Sequence, residues 1–522
     1  MSDETEDSDL LTHERDGKNR RELPRREFLR NAGIAAAAFM VVPRHVIGGP
    51  GYLAPSDTVN VAGIGVGGAG RSNLAALSEQ NLVALCDVDW GYVDARYREI
   101  PSQVQEMSTR LDDEATTAEQ KQRTRSQIAN LRRLQEKAPK AVRYTDYREM
   151  LEKQRDIDAV VIATPDHTHA VIALAAMDLG KHIYLQKPLA WSVEECRRLA
   201  QRAEQTKVVT QMGNQGHSSD DARLVNEYIA DGAIGTVTEV HAWTNRPLAY
   251  WPQGIPRPAA SSTPAEELKW DMNGVMKRLG AALGSYSPPD SLAWDLFLGP
   301  APQIDYHPIY HPFNWRGWVD WGVGAIGDMG AHLIDHPCWA LDLGYPISVE
   351  THSTPYNRQS YPMSTITYYE FPARDSRPPV RLTWYDGGLL PPAPHELDVA
   401  GLNRDGGVLY VGDKGKLLHD TYGTNPRLLP QSLHDATGEP RKRYERILTS
   451  HEMNWIEAIR GKISATSPFE YAAPLTEVML LGVAALNAGQ KIQYDPHNMR
   501  ITNVPDSDAL LKRRYRKGWE LT

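Results

Sequence analysis

Two polar side chains spaced by one helical turn could carry out acid–base chemistry. Asp328 and His332 lie four residues apart in the segment 327–332, so a helix would place them on one face. A carboxylate beside an imidazole orients the ring and favours the imidazolium that forms when a hydroxyl group loses its proton. The spacing predicts His332 as a general acid/base with Asp328 as its orienting partner. A helix-start aspartate paired with a structural histidine is the alternative.

A lysine follows a short apolar run in the first half of the chain. Lys187 comes after the strand-like residues 182–185 and stands beside Pro188. Its ammonium group could stabilise an alkoxide as it develops. A solvent-exposed lysine is the alternative.

Asp335 and His336 extend the cluster around His332. Carboxylate oxygens and imidazoles are possible ligands of a metal ion, which raises the alternative of a metal site. Because the Lys187 ammonium group can stabilise a developing negative charge by itself, a metal is unnecessary, and we predict none.

A glycine-rich turn early in the chain predicts a dinucleotide-binding site. The run 59–64 leads into Gly65, Gly67 and Gly70, which fit G-x-G-x-x-G, and a helix-like segment follows. These glycines make a tight turn, let backbone approach a pyrophosphate and let helix pack on strand, while the helix N-terminus faces the phosphates. Asp87 ends a second apolar run 22 residues after Gly65, where a carboxylate binds a ribose and repels a 2′-phosphate. We therefore expect NAD, with NADP as the alternative.

Further apolar runs complete a doubly wound parallel sheet. Residues 159–165 form a buried strand stopped by proline, and 164–169 would lie at its carboxyl end. That edge of an open α/β sheet is where ligands bind. The predicted cofactor-binding residues are Gly65, Gly67, Gly68, Gly70, Asp87, Thr164, Pro165, His169 and Lys187.

The sequence changes in character after residue 214. Alternating runs at 239–243, 364–369 and 380–385 indicate a second domain on a largely antiparallel sheet. Aromatic, Pro- and Gly-rich loops at 247–312 suit a pocket that stacks on a polyhydroxylated ligand, with ordinary loop anchoring as the alternative. We predict an α/β protein with a leader (1–56), a Rossmann dinucleotide-binding domain (57–214) carrying a helical insertion at about 92–140, and a C-terminal domain (215–522).

The charge balance argues against a polyanionic partner. The 522 residues carry a net charge of −9, so no basic field exists to attract nucleic acid or anionic lipid. Cys86, Cys196 and Cys338 are scattered and odd in number, which argues against a disulfide framework and a clustered zinc site. We expect a small-molecule substrate and no nucleic acid.

The N-terminal segment is similar to an export signal. Residues 1–23 are polar, and Arg25 and Arg26 precede the small and apolar run 33–42, which is too short to span a bilayer. The arrangement resembles a twin-arginine signal, which carries folded proteins, and predicts a periplasmic protein without a stable membrane anchor. A basic helix start before a buried helix is the alternative. The mature chain would begin within roughly 48–57.

Four segments together resemble the Gfo/Idh/MocA family of glucose-fructose oxidoreductases and inositol dehydrogenases. They are residues 65–70, 164–169, 180–188 and 327–332, and the resemblance runs from about Val59 to the C-terminus. It implies a Rossmann domain, a nicotinamide cofactor, a sugar or cyclitol substrate, and a C-terminal α/β domain whose open sheet forms contacts in a dimer or tetramer. The family's Glu-Lys-Pro lysine corresponds to Lys187, and its Asp-x-x-x-His pair corresponds to Asp328 and His332.

These features predict an NAD(P)-dependent oxidoreductase that removes hydride from a secondary alcohol of a sugar or cyclitol, or returns it to the ketone. One alternative is an NAD-dependent glycosidase in which transient oxidation of the ring lets the aglycone eliminate. Gln186 stands where the family has glutamate, which removes a negative charge that would have held Lys187. This departure motivates a second alternative, a non-catalytic sugar-binding protein that keeps its nucleotide.

The export signal is tested by replacing Arg25 and Arg26 together with lysine. We expect folded, nucleotide-loaded protein to stay inside the cell, because the twin-arginine pathway reads the arginine pair. Fractionation into cytoplasm and periplasm measures the outcome. Arrival of the variant in the periplasm would show that another route is used.

Overall fold

The computed structural model describes residues 58–113, 116–258, 286–375, 377–397 and 401–521. Residues from Val59 to the C-terminus belong to one compact unit. The predicted leader, with Arg25 and Arg26, lies outside the described residues.

The first half of the chain folds around a six-stranded parallel sheet. Its strands are β1 (Asn60–Ile64), β2 (Asn81–Cys86), β3 (Val142–Tyr144), β4 (Ala159–Ile162), β5 (His182–Leu185) and β6 (Thr210–Met212). They lie side by side in the order β3-β2-β1-β4-β5-β6. In β4, Val160 and Ile162 pack into one hydrophobic cluster, while Ala159 and Val161 pack into another. Both faces of the sheet are therefore covered, which explains its continuous apolar runs and confirms the predicted doubly wound sheet.

Helices connect these strands. They are α1 (Ala69–Ala76), α2 (Trp90–Arg98), α3 (Ile100–Leu111), α4 (Ala118–Lys137), α5 (Tyr147–Lys153), α6 (His169–Asp178), α7 (Val193–Thr206) and α8 (Asp220–Ala230), with 3₁₀ turns at Ala138–Lys140, Asp166–Thr168 and Gln215–Ser218. The predicted insertion consists of α2, α3 and α4, which are anchored by buried residues such as Ile100 and Leu134. Helix α7 begins with a capping box, in which Ser192 and Glu195 bond each other's backbone amides.

The second half is built on a nine-stranded sheet. Its strands are β7 (Val237–Thr244), β8 (Ser348–Ser353), β9 (Thr365–Phe371), β10 (Val380–Tyr385), β11 (Gly406–Gly412), β12 (Lys416–Asp420), β13 (Arg427–Leu429), β14 (Ile492–Asp495) and β15 (Arg500–Ile501). They lie in the order β13-β12-β11-β7-β10-β9-β8-β14-β15. The β7–β10 pair is parallel and the other pairs are antiparallel, as the alternating patterns predicted. The helices of this half are α9 (Trp294–Leu298), α10 (Gly324–Leu333), α11 (Asp335–Leu341), α12 (Gln431–Thr437), α13 (His451–Ile459), α14 (Phe469–Ala488) and α15 (Asp508–Leu511), with 3₁₀ turns at Asn314–Gly317 and Thr421–Gly423.

Two helices of the second half return to the first sheet. Trp455 and Ile456 of α13 are fully buried in a hydrophobic cluster of the first sheet, beside α1 and β5. Helix α14 packs on α7 and on β8, so it joins the two halves. It is also the one helix among the described residues that is long and apolar enough to cross a membrane. Of its apolar 18-residue stretch, 78% is buried in the protein. The predicted boundary at 214/215 therefore separates segments that share a core.

Helix α10 carries the predicted acid–base pair. It begins at Gly324, one turn earlier than the sequence indicated, and runs to Leu333. Asp328 is therefore a mid-helix residue, and the alternative of a helix-start aspartate is wrong. His332 follows it by one turn on the same helix.

Candidate functional site

A cavity of about 450 Å³ opens at the carboxyl ends of β1, β2, β4 and β5. This is the edge at which the sequence placed the cofactor. The predicted site residues that line the cavity are Gly65, Gly67, Gly68, Asp87, Thr164, Pro165, Lys187 and Asp328. Phe313, Trp315 and Arg316, from the second half of the chain, complete the wall.

The glycine-rich turn has the geometry that its sequence requires. Gly65 has a φ of +78°, and a Cβ atom there would lie 2.7 Å from the Ala163 carbonyl group. A Cβ atom on Gly70 would clash with the Gly65 carbonyl oxygen. Gly68 faces open space, with no heavy atom within 4 Å of a Cβ atom built on it. The turn thus leaves a cradle of backbone that fits a pyrophosphate.

Asp87 holds this turn. Its Oδ2 accepts hydrogen bonds from the amides of Val66 (2.8 Å) and Gly67 (3.2 Å), and its Oδ1 accepts one from the amide of Asp89 (3.0 Å). Burial raises the pKa of Asp87 in spite of these bonds. The carboxylate therefore lies between the glycine turn and the cavity, where a ribose hydroxyl could reach it.

The strongest polar contact of the site joins Lys187 to Asp328. The ammonium Nζ donates to Asp328 Oδ1 (2.8 Å) and to the Asp328 carbonyl oxygen (2.6 Å). Arg316 Nε lies 3.4 Å from the same carboxylate, and Arg246 Nε lies 3.7 Å from its other oxygen. Burial opposes ionisation, but Lys187 and Arg316 hold the pKa of Asp328 well below its usual range. Asp328 is therefore a carboxylate surrounded by cations.

His332 is buried one turn beyond Asp328 and does not line the cavity. Its Nδ1 is enclosed without a hydrogen-bond partner among the described residues. The imidazole contacts the ring of Tyr422, with centroids 4.7 Å apart. Burial, aided by the Lys187 ammonium, lowers the pKa of His332 to about 3, so the ring is neutral.

The predicted orienting bond from Asp328 to His332 is absent from the described contacts. Helical spacing brings the two residues onto one face, but the Asp328 carboxylate pairs with Lys187 instead. The reason is electrostatic, because a full cation from another element is a stronger partner for a buried carboxylate than a neutral imidazole. Packing against Tyr422 fixes the His332 ring in its place.

Gln186 does not touch the Lys187 ammonium group. Its Nε2 donates to Asn73 Oδ1 (2.9 Å), and Asn73 Nδ2 donates to Glu452 Oε1 (2.9 Å). Asp328 therefore supplies the negative charge that holds Lys187. A glutamate at position 186 would bring a second carboxylate toward Glu452.

Two predicted cofactor residues lie behind the cavity wall. His169 is fully buried, with Nδ1 2.9 Å from the Pro188 carbonyl oxygen and Nε2 2.9 Å from the Thr164 carbonyl oxygen. Each ring nitrogen thus faces a backbone carbonyl oxygen, to only one of which the neutral ring can donate, so His169 lies between two site loops instead of facing a ligand. Gly70 acts through the close packing of α1 on β1.

Asp335 and His336 belong to a separate buried network. His217 Nδ1 lies 3.0 Å from both Asp335 oxygens, and Asn214 and Tyr471 also bond this carboxylate. Although burial acts to raise it, these partners lower the pKa of Asp335 to about 2. Neither ring nitrogen of His336 has a hydrogen-bond partner in the described part of the chain. The described residues include no group of three metal-ligating side chains.

Four residues of the site were not predicted. Arg246 and Arg316 flank the aromatic loops, and their neighbours Tyr250, Phe313 and Trp315 were the available signal. Asp166 lies within the segment 164–169. It is buried in the cavity wall, where its Oδ2 accepts the Val323 amide (3.1 Å) and burial raises its pKa to about 7. Tyr422 has a left-handed φ of +66°, which the sequence does not reveal.

The described aromatic residues in and next to the predicted stacking loops mainly anchor these loops in the protein interior. Trp294, Tyr310, Trp318 and Trp321 pack together in a buried cluster. Phe313 and Trp315 face the cavity. The segment 259–285 of the predicted stacking pocket lies outside the described residues.

Comparison with known protein families shows to which family this chain belongs. The model for the Gfo/Idh/MocA oxidoreductase family's NAD-binding Rossmann fold matches residues 59–214, and the model for its C-terminal alpha/beta domain matches residues 263–370. Together they match 264 of the 522 residues. The chain belongs to the Gfo/Idh/MocA oxidoreductase family. The predicted fold and the predicted NAD-binding domain are thereby confirmed.

Individual proteins similar to this Gfo/Idh/MocA protein share low sequence identity with it. A "Glycosyl hydrolase family 109 protein" of Shewanella pealeana is 27% identical over 281 residues, and an "Alpha-N-acetylgalactosaminidase" of Shewanella oneidensis is 27% identical over 282 residues. The chain spans about half the length of these curated relatives, and the match covers 50% of this chain. The WlbA dehydrogenase from Bordetella pertussis, solved with NADH and UDP-GlcNAcA, is similar in fold, with 15% identity, a TM-score of 0.49, and 84% of this chain and 99% of that chain covered.

The residues of this Gfo/Idh/MocA protein fit NAD. The glycine turn offers backbone to the pyrophosphate, and Asp87 is placed to accept a ribose hydroxyl. Thr164, Pro165 and Lys187 line the rest of the cavity. When bound, NAD supplies a nicotinamide ring that accepts or returns hydride.

The cofactor preference is tested by Asp87→Asn. We expect the ratio of NAD affinity to NADP affinity to fall, because the variant loses the charge that repels a 2′-phosphate but keeps an oxygen for the turn amides. Nucleotide titration measures both affinities. Asp94→Asn, on α2, removes the same charge at a half-exposed surface position and should leave the ratio unchanged. An unchanged ratio in Asp87→Asn would remove Asp87 as the discriminating residue.

Buried histidines make the stability of this protein depend on pH. Burial lowers the pKa of several imidazoles to about 3 or 4, whereas the same groups titrate near 6.5 in the unfolded chain. Between these values the unfolded chain binds more protons, so the free energy of unfolding falls as the pH falls through this window. The histidines are His167, His169, His332, His336, His419 and His451.

We therefore expect the thermal midpoint to be highest above about pH 7 and to fall between about pH 6.5 and 4.5. Thermal unfolding at constant ionic strength measures this dependence. His419→Gln should flatten it by removing one buried imidazole, whereas His395→Gln should not, because the His395 side chain is 89% exposed. A midpoint that stays constant from about pH 7 to 5 would contradict the linkage.

Proposed function

We propose that the protein is an NAD-dependent oxidoreductase that acts on a secondary alcohol of a sugar or cyclitol. The observation that carries the proposal is the buried Lys187–Asp328 ion pair in the wall of the cavity, beside a neutral His332. Membership of an NAD-binding oxidoreductase family supports the same reaction class.

Lys187 is the electrostatic group of this proposal. Two of the three ammonium N–H bonds are directed to Asp328, one to the carboxylate and one to the backbone carbonyl. The third is available to a substrate oxygen. Asp328 stays ionised and holds the Lys187 ammonium group in place, so the charge of that group stabilises an alkoxide as it forms.

His332 is the acid/base. Its pKa of about 3 leaves the imidazole unprotonated, as a proton acceptor requires, but also makes it a weak base, so acceptance of the proton depends on the nearby Asp328 carboxylate. Nδ1 is enclosed by protein, which leaves Nε2 to receive the hydroxyl proton once a substrate reaches it, since the ring does not line the cavity itself. The imidazolium formed in this way lies one helical turn from the Asp328 carboxylate, which lowers the free energy of that state.

A second candidate function is an NAD-dependent glycosidase. The curated relatives named as glycosyl hydrolases favour it, and so does Asp166. A buried carboxyl group with a pKa of about 7 can donate a proton to a departing oxygen at neutral pH. Oxidation of the ring acidifies the neighbouring carbon and allows the aglycone to eliminate. Products separate the two functions, because a glycosidase releases an aglycone without net formation of NADH.

The proposed chemistry is tested with His332→Ala. A positioned acid/base contributes about 10²- to 10⁴-fold, so we expect kcat to fall by that order. NAD affinity should persist, because the glycine turn belongs to the first sheet. Stopped-flow or steady-state formation of NADH with a sugar or cyclitol measures the rate. His395→Ala, at an exposed position, is the matched control.

Lys187→Ala and Asp328→Asn should each lower kcat as well. The three effects should not add, because the groups act as one unit. A His332→Ala enzyme with normal turnover and bound NAD would make His332 a structural residue. Sugar binding by the parent protein with neither NADH formation nor aglycone release would favour the non-catalytic alternative.

A further inference from the structure

We propose that the substrate is an anionic sugar, whose carboxylate or phosphate group is bound jointly by Arg246 and Arg316. The inference rests on the proposed function and deepens it by naming the charge of the substrate. Arg246 follows β7, and Arg316 lies in the 3₁₀ turn Asn314–Gly317. Both guanidinium groups meet at Asp328, beside the Lys187 ammonium group.

The cluster holds more positive than negative charge. Three cations surround the single carboxylate of Asp328, and their side chains are only 15% (Lys187), 17% (Arg246) and 20% (Arg316) exposed. An unpaired charge that is largely removed from water is costly unless a partner arrives. Among the described residues, one carboxylate cannot neutralise three cations, so we infer that an external anion completes the site.

The other titratable groups facing the cluster do not supply the missing charge. His332 and His169 are neutral, because burial lowers the pKa of each ring to about 3 and about 4. Burial also raises the pKa of Tyr422, which keeps its hydroxyl protonated. Asp166 has a pKa of about 7, so it is only partly ionised at neutral pH. Even with Asp166 fully ionised, the cluster has three cations and two anions.

Each arginine has one donor group without a partner among the described residues. Asp328 meets only the Nε edge of both groups, at 3.4 Å and 3.7 Å. Arg316 Nη1 donates to the Phe313 carbonyl oxygen (3.0 Å), and Arg246 Nη1 donates to Asn245 Oδ1 (2.6 Å). Nη2 of neither arginine bonds any of the described residues. These two groups are available to the oxygens of a ligand.

Aromatic rings hold the guanidinium planes in place. Arg246 Cζ lies 3.3 Å from the ring centroid of Tyr250, and Arg316 Cζ lies 4.2 Å from that of Trp315 and 4.3 Å from that of Phe313. Stacking fixes a guanidinium without using its N–H groups. A planar donor fixed in this way matches the oxygens of a carboxylate or a phosphate group.

The cofactor's pyrophosphate fits the site at Arg246 and Arg316 less well than an anionic group of the substrate does. The glycine turn and Asp87, which would hold it, lie at the ends of β1 and β2, where Arg71 and Arg96 also line the cavity. Arg246 does not line that cavity. It contacts Asp328 Oδ2 and the ring of Tyr250 instead. The anion that these arginines recognise therefore belongs to the substrate.

The experiment compares sugars of one configuration that differ only in charge. A neutral hexose, its hexuronate and its phosphate ester are titrated into the NAD-loaded protein by calorimetry, and NADH formation is followed with each. A hydrogen bond to a charged group contributes about 1.5–3 kcal/mol, so we expect the anionic sugars to bind roughly 10- to 100-fold more tightly than the neutral one. A preference for the hexuronate alone identifies a carboxylate, and a preference for the ester alone identifies a phosphate.

Variants separate binding at these two arginines from a nonspecific effect of removing any arginine from the protein. Arg246→Gln and Arg316→Gln should each reduce the ratio of anionic to neutral affinity by about 10-fold or more. NAD affinity should be unchanged in Arg246→Gln, because Arg246 does not line the cavity. Arg381→Gln, which removes an exposed arginine paired with Glu370, is the matched control and should keep the ratio. Arg246→Lys should restore it only in part, because lysine lacks the planar fork.

Failure of the inference is distinct from failure of the proposed function. Equal affinity for neutral and anionic sugars, with NADH still formed, overturns the anionic substrate and leaves the oxidoreductase intact. Tight binding of anionic sugars without NADH formation or aglycone release overturns the proposed function and supports the arginine site. A preference that persists in both arginine variants also overturns the inference.

Discussion

A buried ion pair between Lys187 and Asp328 connects the two halves of this protein at the point where chemistry is proposed. Lys187 stands on the loop after β5 of the parallel sheet, and Asp328 is in the middle of α10, 141 residues later. Removing one partner of such a pair leaves a buried charge and typically costs about 3–5 kcal/mol. The pair therefore contributes to the closure of the cavity as well as to its charge. A second ion pair, from Arg197 on α7 to the fully buried Glu477 on α14, ties the same halves together.

Local sequence patterns predicted the parts of the fold that depend on neighbours in the chain. Strands β5 and β10 have the bounds that their apolar or alternating runs indicated. The glycine turn and Asp87 could also be predicted, because a close backbone approach and the end of the next strand leave fixed marks in the sequence. In these cases, spacing along the chain determines contact in space.

The partners of Asp328 could not be found in this way. Helical spacing correctly placed His332 on the same face, but it could not weigh a neutral imidazole against a lysine and two arginines from distant segments. The roles of Arg246 and Arg316 depend on where three separate loops meet, which no periodicity records. The effect of Gln186 on Lys187 could not be predicted for the same reason. The glutamine does lack the charge of a glutamate, but its side chain binds Asn73, and Asp328 holds Lys187.

The return of α13 to the first sheet has a consequence for synthesis on the ribosome. Trp455 donates to the Val209 carbonyl group, 246 residues earlier, and closes a hydrophobic cluster of the nucleotide-binding half. At about 5–20 residues per second, the ribosome needs on the order of 10 to 50 seconds to make the intervening chain. During that time the surface that α13 will cover stays open to water and to chaperones. The nucleotide-binding half thus reaches its final packing only after most of the chain has been made.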